Sequence, residues 1–95
     1  MHVISKRRLD VFAHQHADAG AALNSWYRVA EIAQWRNLAE VRQTYRSADV
    51  VQQWTVFNIK GNTYRLITQI DYERQTIYVR HILTHAEYSR GNWKQ

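Results

Sequence analysis

Two arginines, a histidine and a tyrosine in the C-terminal part of the chain are the side chains best suited to chemistry. Arg65 and Arg80 stand within segments of alternating apolar and polar residues, and His85 and Tyr88 follow a few positions later. Guanidinium groups bind phosphate through paired hydrogen bonds and keep their charge at any accessible pH. Cleavage of RNA without a metal needs a proton acceptor, a proton donor and cations that stabilise the charged phosphorane. Together with Lys60, these four residues can supply all three functions.

The same residues also have plain structural interpretations. Either arginine can be a solvated strand residue that pairs with a nearby carboxylate, and His85 can be a helix-start residue hydrogen-bonded to the backbone. Because the two arginines are grouped with Asn58 in the predicted sheet and lie near His85, we favour the functional interpretation for them. For His85 the spacing alone leaves both interpretations open.

Other catalytic chemistry has no support in the sequence. The chain has no cysteine, which excludes disulfides, thiolate metal sites and cysteine nucleophiles. The motifs of zinc proteases, P-loop proteins and serine hydrolases are absent. His81 and His85 are separated by a predicted strand–helix break, so they are not expected to form a metal site. We therefore expect neither a metal nor another cofactor.

The charge balance points to a polyanionic partner. The 95 residues include 13 Lys and Arg against 8 Asp and Glu, a formal net charge of +5, together with 4 Trp and 6 Tyr. Cations attract phosphates, and aromatic rings stack on bases. A basic surface that only keeps the protein in solution explains the same numbers, so composition alone leaves the two interpretations open.

The length predicts a single domain, residues 1–95. No apolar run reaches the length of a membrane span, and the basic start of the chain lacks the apolar region of a signal peptide. We therefore expect a cytoplasmic protein with no membrane partner.

The hydrophobic periodicity changes near residue 54. Before it, apolar residues recur at helical spacing, with Ser5 and Asp18 as candidate N-caps. After it, β-branched and aromatic residues recur with a period of two, and Thr84 and Glu87 match a capping box that begins a last helix. The predicted elements are a short strand at 1–4, helices at 6–17 and 19–33, a helical turn or two around 38–41, a loop at 45–49, and strands at 55–59, 63–72 and 76–83. This order predicts an α+β fold in which N-terminal helices pack on an antiparallel sheet and a short C-terminal helix follows.

Two tight turns, at 61–62 and 73–74, set the predicted register of the sheet. Asn62 beside Gly61 is expected to supply the positive φ values of the first turn. The predicted cross-strand pairs are Asn58 with Arg65, Arg65 with Ile82, and Arg80 with Ile67.

Alternation along the strands then sorts the side chains onto two faces. The face expected to pack on the helices carries Phe57, Ile59, Leu66, Thr68, Ile70, Val79, His81 and Leu83. The opposite face carries Val56, Asn58, Arg65, Ile67, Gln69, Tyr78, Arg80, Ile82 and Thr84. Asn58, Arg65 and Arg80 are thereby predicted to form one positively charged surface.

The chain resembles the HigB family of toxins from bacterial type II toxin–antitoxin systems, within the RelE-like fold. Four stretches carry the resemblance, namely MHVIS, VFNIKGNTYRLI, IYVRHILTHAEY and RGNWKQ. The resemblance implies a metal-independent endoribonuclease that cleaves mRNA, usually while a translating ribosome engages it. It also implies a cognate antitoxin, typically a helix-turn-helix protein.

The resemblance also implies roles for particular residues. The catalytic candidates are Arg65 from YRLI, Arg80 from YVRH, and His85 and Tyr88 from LTHAEY. The RNA-binding candidates are Asn58, Lys60, Trp93 and Lys94. Which group is the general acid and which the general base stays open.

Two other functions compete with mRNA cleavage. The same basic sheet suits a non-catalytic module that binds RNA or the ribosome and blocks translation. A DNA-binding repressor is disfavoured, because a recognition helix carries its cations on a helix, whereas the grouped cations of this chain lie on predicted strands.

Overall fold

A computed structural model of the chain describes residues 1–94, which form a mixed sheet with helices at the N-terminus and a short helix at the C-terminus. The elements are β1 (His2–Ile4), α1 (Lys6–Gln15), α2 (Gly20–Ile32), α3 (Leu38–Thr44), β2 (Asp49–Val51), β3 (Trp54–Ile59), β4 (Tyr64–Asp71), β5 (Thr76–Thr84) and α4 (His85–Arg90). Short 3₁₀ turns, Ala17–Ala19 and Asn92–Lys94, precede α2 and follow α4. The predicted α+β fold is confirmed. None of the helices within residues 1–94 combines the length and the apolarity needed to cross a lipid bilayer.

The N-terminal helices cover one face of the sheet because each has an apolar stripe. The stripe of α2 consists of Leu23, Trp26 and Ala30, which are all buried. The indole of Trp26 packs edge-on against Phe57 of β3, with ring centroids 5.4 Å apart. This contact joins the helix layer to the sheet and forms the centre of the main core.

One of the two predicted N-caps is correct in position. Ser5 is the N-cap residue of α1, but its φ of 76° is left-handed and its side chain makes no capping hydrogen bond. Asp18 does not cap α2, because the N-cap residue of that helix is Ala19. Its carboxylate instead accepts hydrogen bonds from Tyr64 Oη at 2.7 Å and Lys60 Nζ at 2.9 Å. Asp18 therefore links the helix layer to the turn between β3 and β4.

The strands are ordered β1–β5–β4–β3–β2 across the sheet. The two predicted antiparallel pairs, β3 with β4 and β4 with β5, are confirmed. In addition, β2 pairs with β3 in antiparallel fashion and β1 joins the edge of β5 in parallel. The strand β2 was not predicted, because Asp49 was assigned to a loop and only three residues, 49–51, form the strand. A segment this short has too few alternating positions to be distinguished from a loop.

The register of β3 against β4 is as predicted, with Asn58 opposite Arg65. The turn between them differs in detail, since Lys60 and Gly61 have φ values of 52° and 61° while Asn62 does not have a positive φ. Asn62 has another task, because its side-chain and backbone oxygens both accept hydrogen bonds from Arg65.

The register of β4 against β5 is as predicted only near the turn. The pairs run correctly as far as Thr68 with Val79, and the next pair is then Ile67 with His81. Arg80 is the extra residue of a β-bulge at this point. It is therefore not opposite Ile67, and Arg65 lies opposite Leu83 rather than Ile82.

The bulge inverts the alternation of side chains for the rest of β5. Ile82 packs against the main core, and Leu83 packs on the opposite face of the sheet with Val56 and Ile67. His81, predicted to face the core, is exposed. One extra residue in a strand moves every following side chain to the other face, which explains all three errors.

We expect Asp18→Asn to lower the melting temperature at neutral pH, because it removes the charge that Lys60 and Tyr64 contact. The hydrogen bond from Tyr64, followed by that from Lys60, lowers the pKa of Asp18 below its ordinary value of 3.8. An acid with a lowered pKa in the folded state stabilises the fold above its unfolded pKa, and that stabilisation is lost as the pH falls through the folded pKa. The difference between the two melting temperatures should therefore shrink as the pH falls below 3.8 and vanish only below the still lower pKa of Asp18 in the folded protein.

The matched control is Asp10→Asn, which removes an exposed i,i+4 ion pair with Lys6 and should change the melting temperature little. Equal effects of the two substitutions would show that Asp18 does not join the layers.

Candidate functional site

A capping box fixes the start of α4. Thr84 Oγ1 accepts a hydrogen bond from the Glu87 amide at 3.2 Å, and Glu87 Oε1 accepts one from the Thr84 amide at 2.9 Å. The His85 amide donates to the carbonyl of Thr63 at 3.1 Å, which ties the helix start to the end of the β3–β4 turn. The predicted capping box is confirmed. It sets the direction in which His85 and, one turn later, Tyr88 leave the helix.

Four of the predicted site residues form a continuous cation–aromatic arrangement on the sheet face away from the α1–α2 layer. The guanidinium carbon of Arg65 lies 5.2 Å from the ring centroid of Tyr88. Tyr88 stacks on Trp93 with centroids 5.1 Å apart and an interplanar angle of 16°. Lys94 Nζ lies 5.8 Å from the centroid of Trp93. We call Arg65, Tyr88, Trp93 and Lys94 the C-terminal stack; its contacts are of the cation–π and offset-stacked types.

Trp93 is the anchor of this arrangement. Its side chain is buried against Val56 and Ile67, and its Nε1 donates to the Tyr88 carbonyl at 2.9 Å. One ring face already contacts Tyr88. Trp93 thus holds the last described residues on the sheet, and little of its surface is left to stack on a base.

Arg65 is a buried cation with neutral partners. Its side chain is 8% exposed, and its Nη atoms donate to the carbonyls of Asn62 and Tyr64 and to Asn62 Oδ1, at 3.0, 3.3 and 2.6 Å. Within residues 1–94 no carboxylate forms an ion pair with it. A buried charge is costly unless it is hydrogen-bonded, so these bonds keep a full positive charge fixed beneath Tyr88.

Arg80 is exposed at the bulge. Its Nη2 donates to Gln69 Oε1 at 3.1 Å, and its guanidinium carbon lies 5.2 Å from the ring centroid of Tyr78. In the part of the chain that the structure describes, it also has no carboxylate partner. Gln69 lies on the same face as Arg65, so Arg80 reaches that face, but it is displaced along the sheet to the level of Ile67. Its guanidinium is accessible to an anion.

The other candidates are brought together only in part. Asn58 is half-buried beside Arg65 in the neighbouring strand, and His85 is exposed, with Nδ1 3.5 Å from Ser89 Oγ in its own helix. Lys60 is directed to Asp18 at the helix layer and not to the C-terminal stack.

His81 is a residue that the sequence did not point to. The bulge places it at the sheet edge, where it lines a groove of about 290 Å³ together with Glu87, Arg90 and Trp93. Partial desolvation and then the guanidinium charges of Arg8 and Arg80 lower the pKa of His81. Its ring is therefore neutral at physiological pH. Nothing in the sequence marks the bulge, so no local signal could have moved His81 out of the predicted core.

Among the described residues, no group of three or more His, Asp or Glu side chains is arranged to hold a metal ion. The groups in or beside the C-terminal stack that can transfer a proton are the phenol of Tyr88, the imidazole of His85 one turn before it, and the imidazole of His81, which shares a groove with Trp93. Each can exchange a proton with a bound phosphodiester, and the neighbouring guanidiniums can offset the negative charge that develops there.

Comparison with known proteins matches the sequence of the chain to a family. A sequence model described as HigB_toxin, the RelE-like toxic component of a toxin–antitoxin system, matches residues 19–91. The mRNA interferase HigB of Escherichia coli O6:H1 is 31% identical over 93 residues, which cover 95% of this chain and 90% of that protein. The mRNA interferase toxin HigB of Escherichia coli K12 and the mRNA interferase HigB of Shigella flexneri are each 28% identical over 91 residues, covering 93% of this chain and 88% of theirs.

We expect Trp93→Ala to destabilise the protein by about 3 kcal/mol, because a buried indole is removed and a cavity is left. Trp93→Phe keeps most of the packing and loses the hydrogen bond to Tyr88, so it should cost only about 1 kcal/mol. Unfolding in urea measures both values. In Trp93→Ala the amides of α4 should also exchange faster with solvent, and unchanged exchange there would contradict the anchoring role.

Proposed function

Since this chain belongs to the HigB family of RelE-like toxins, we propose that it is the toxin of a type II toxin–antitoxin system and an endoribonuclease that cleaves mRNA. The observation that carries the proposal is the C-terminal stack beside His85. Together they place a buried cation of β4 beneath the phenol of Tyr88, and an exposed imidazole one turn before that phenol in α4. A phosphodiester bound there meets all the groups that metal-free cleavage requires.

Arg80 and Arg65 have different tasks in this proposal. Arg80 is exposed and without a carboxylate partner among the described residues, so it contacts the scissile phosphate directly. Arg65 is enclosed by Asn62 and Tyr64, so it acts as a fixed charge that holds the Tyr88 ring and stabilises negative charge at its hydroxyl. A charge that is already oriented requires no reorganisation during the reaction.

Proton transfer falls to His85 and Tyr88. One takes the proton of the 2′-hydroxyl and the other protonates the leaving 5′-oxygen. The attack yields a 2′,3′-cyclic phosphate and needs no metal. Because the capping box fixes the backbone of His85 while its ring remains in solvent, His85 can reach a bound substrate without a change in the helix.

Asn58 and Lys94 flank the two ends of the C-terminal stack and contact the adjoining RNA. Lys60 joins them only if RNA competes with Asp18 for its ammonium group. We further propose that the substrate is mRNA engaged by a translating ribosome, and that the cognate antitoxin implied by the family is a helix-turn-helix protein. The competing possibility is a non-catalytic module that binds RNA or the ribosome through the same basic surface.

Removing either site arginine should abolish toxicity. Loss of one cation from a phosphate site costs on the order of 3 kcal/mol of transition-state stabilisation, or about a hundredfold in rate. Cells that express Arg80→Ala or Arg65→Ala should therefore grow normally, whereas cells that express the wild-type protein should stop growing. The matched control is Arg28→Ala, an exposed position on α2 that should stay toxic.

Because Arg65 is buried, its variants need a test of folding alongside the growth assay. Arg65→Lys keeps the charge but cannot reproduce the paired bonds to Asn62, so a folded but inactive Arg65→Lys supports the positioning role. Full toxicity of Arg80→Ala at equal expression would remove Arg80 from the site.

His85→Gln should retain RNA binding and lose most of its turnover. General acid–base groups contribute roughly 10²–10⁴-fold, which single-turnover cleavage of mRNA on stalled ribosomes can resolve. Mapping of cut ends should give codon-phased 2′,3′-cyclic phosphates, and EDTA should leave the rate unchanged.

The matched variant is Tyr88→Phe, which keeps the stacking on Trp93 and removes only the hydroxyl. If His85→Gln cleaves at the wild-type rate while Tyr88→Phe does not, Tyr88 is the proton donor and His85 has only a structural role. Growth arrest by wild-type without any RNA cuts would instead identify the non-catalytic module.

A further inference from the structure

A second surface, away from the C-terminal stack, lies between α1 and the outer part of β5. It is a groove of about 580 Å³ at the edge of the sheet. We call it the edge groove; the residues that define it here are Arg7, Arg8 and Val11 of α1 and Arg80, His81 and Ile82 of β5.

The edge groove exists because β1 is too short to cover β5. The three residues of β1 pair with Thr76–Tyr78 only, and the left-handed turn at Ser5 then carries the chain away from the sheet into α1. Within residues 1–94, no strand pairs with the rest of β5 on this side. Backbone groups of an edge strand are available to pair with another strand. One carbonyl, that of Arg80, accepts a hydrogen bond from Arg8 Nη1 at 3.1 Å.

The charge of the edge groove has one sign. Arg7, Arg8 and Arg80 line it, and none of them forms an ion pair with a carboxylate of the described residues. No Asp or Glu lines it. Its occupant should therefore carry negative charge.

The groove also has an apolar strip. Val11 is 47% exposed, and Ile82 and Leu83 are partly exposed along β5. Phe12, the larger aromatic ring of the groove, is buried and stacks on His16 with centroids 4.3 Å apart, which leaves the exposed imidazole of His81 as the ring that a base could contact. An open strand edge with apolar side chains fits a peptide better than a nucleic acid, which cannot continue a sheet.

We propose that the edge groove binds an extended acidic segment of the antitoxin, which adds to β5 as a further strand. Acidic side chains of this segment would pair with the groove arginines, and its apolar side chains would contact Val11 and Ile82. The Arg8 side chain leaves the Arg80 carbonyl and pairs with the segment. Since Arg80 also serves the proposed RNA site, the bound strand competes with RNA without covering the C-terminal stack.

Binding can be measured by fluorescence anisotropy with a labelled peptide of alternating glutamate and valine. Two control peptides separate the contributions. Alternating lysine and valine reverses the charge, and N-methylation of every second residue of the acidic peptide removes the amides that pair with an edge strand. We expect each control to bind more weakly by on the order of tenfold or more.

The double variant Arg7→Glu, Arg8→Glu should bind the acidic peptide on the order of tenfold more weakly than wild-type. The matched control, Arg28→Glu with Arg46→Glu, reverses two exposed arginines outside the groove and should bind as wild-type does. Neither pair includes a residue of the RNA site, so mRNA cleavage should stay normal in both. In the complex with the co-expressed antitoxin, hydrogen exchange should slow at residues 80–84.

Any one of three results would overturn the proposal. The first is equal binding of the acidic peptide and its N-methylated form. The second is an equal loss of peptide binding in both charge-reversal variants, and the third is an antitoxin complex in which α4 is protected from exchange and residues 80–84 are not. A non-cleavable 2′-O-methyl RNA provides the opposite test. If the Arg7→Glu, Arg8→Glu variant no longer binds this RNA but still binds the acidic peptide as wild-type does, the groove is an RNA site. Peptide binding is scored apart from cleavage, so it stands or fails independently of the ribonuclease proposal.

Discussion

The β-bulge at Arg80 determines how both surfaces of the sheet are built. By adding one residue to β5, it moves Leu83 to the face that holds Val56 and Ile67, where the three form the apolar bed for Trp93. The same extra residue turns Arg80 and His81 out to the sheet edge. A change of one position in a strand thus creates the support of the C-terminal stack and one wall of the edge groove.

Hydrogen bonds offset the desolvation cost of the buried positive charge on Arg65. Its guanidinium is buried, yet every hydrogen bond in which it takes part goes to a neutral oxygen of the adjacent turn or strand. Carboxylate partners would have neutralised the positive field, whereas carbonyl dipoles leave it intact. The aromatic ring of Tyr88 lies over this charge, and Trp93 closes the other side. The local packing therefore produces a fixed cation next to a phenol, an arrangement suited to stabilising a developing negative charge.

The two surfaces meet at Arg80 and His81. Arg80 contacts Gln69 on the face of the C-terminal stack and also lines the edge groove on the other side of β5. His81 lines both grooves, and its neutral ring adds no charge to either at physiological pH. A ligand bound at one surface would therefore change the environment of residues that line the other. Such contact through shared side chains is a short and direct physical route for coupling.

The sequence by itself determined the class of the fold and pointed to the candidate reactive groups. The change of period near residue 54, the capping box at Thr84 and Glu87, and the tight turn before Arg65 are local signals, and each acts over a few residues. Tertiary structure decided which of these groups meet. The bulge at Arg80, the diversion of Lys60 to Asp18 and the burial of Trp93 depend on contacts between distant segments. Which of the possible long-range contacts forms depends on their relative free energies of packing and hydrogen bonding, and no local pattern encodes these. The register beyond the bulge and the partners of the side chains therefore could not be predicted from the sequence.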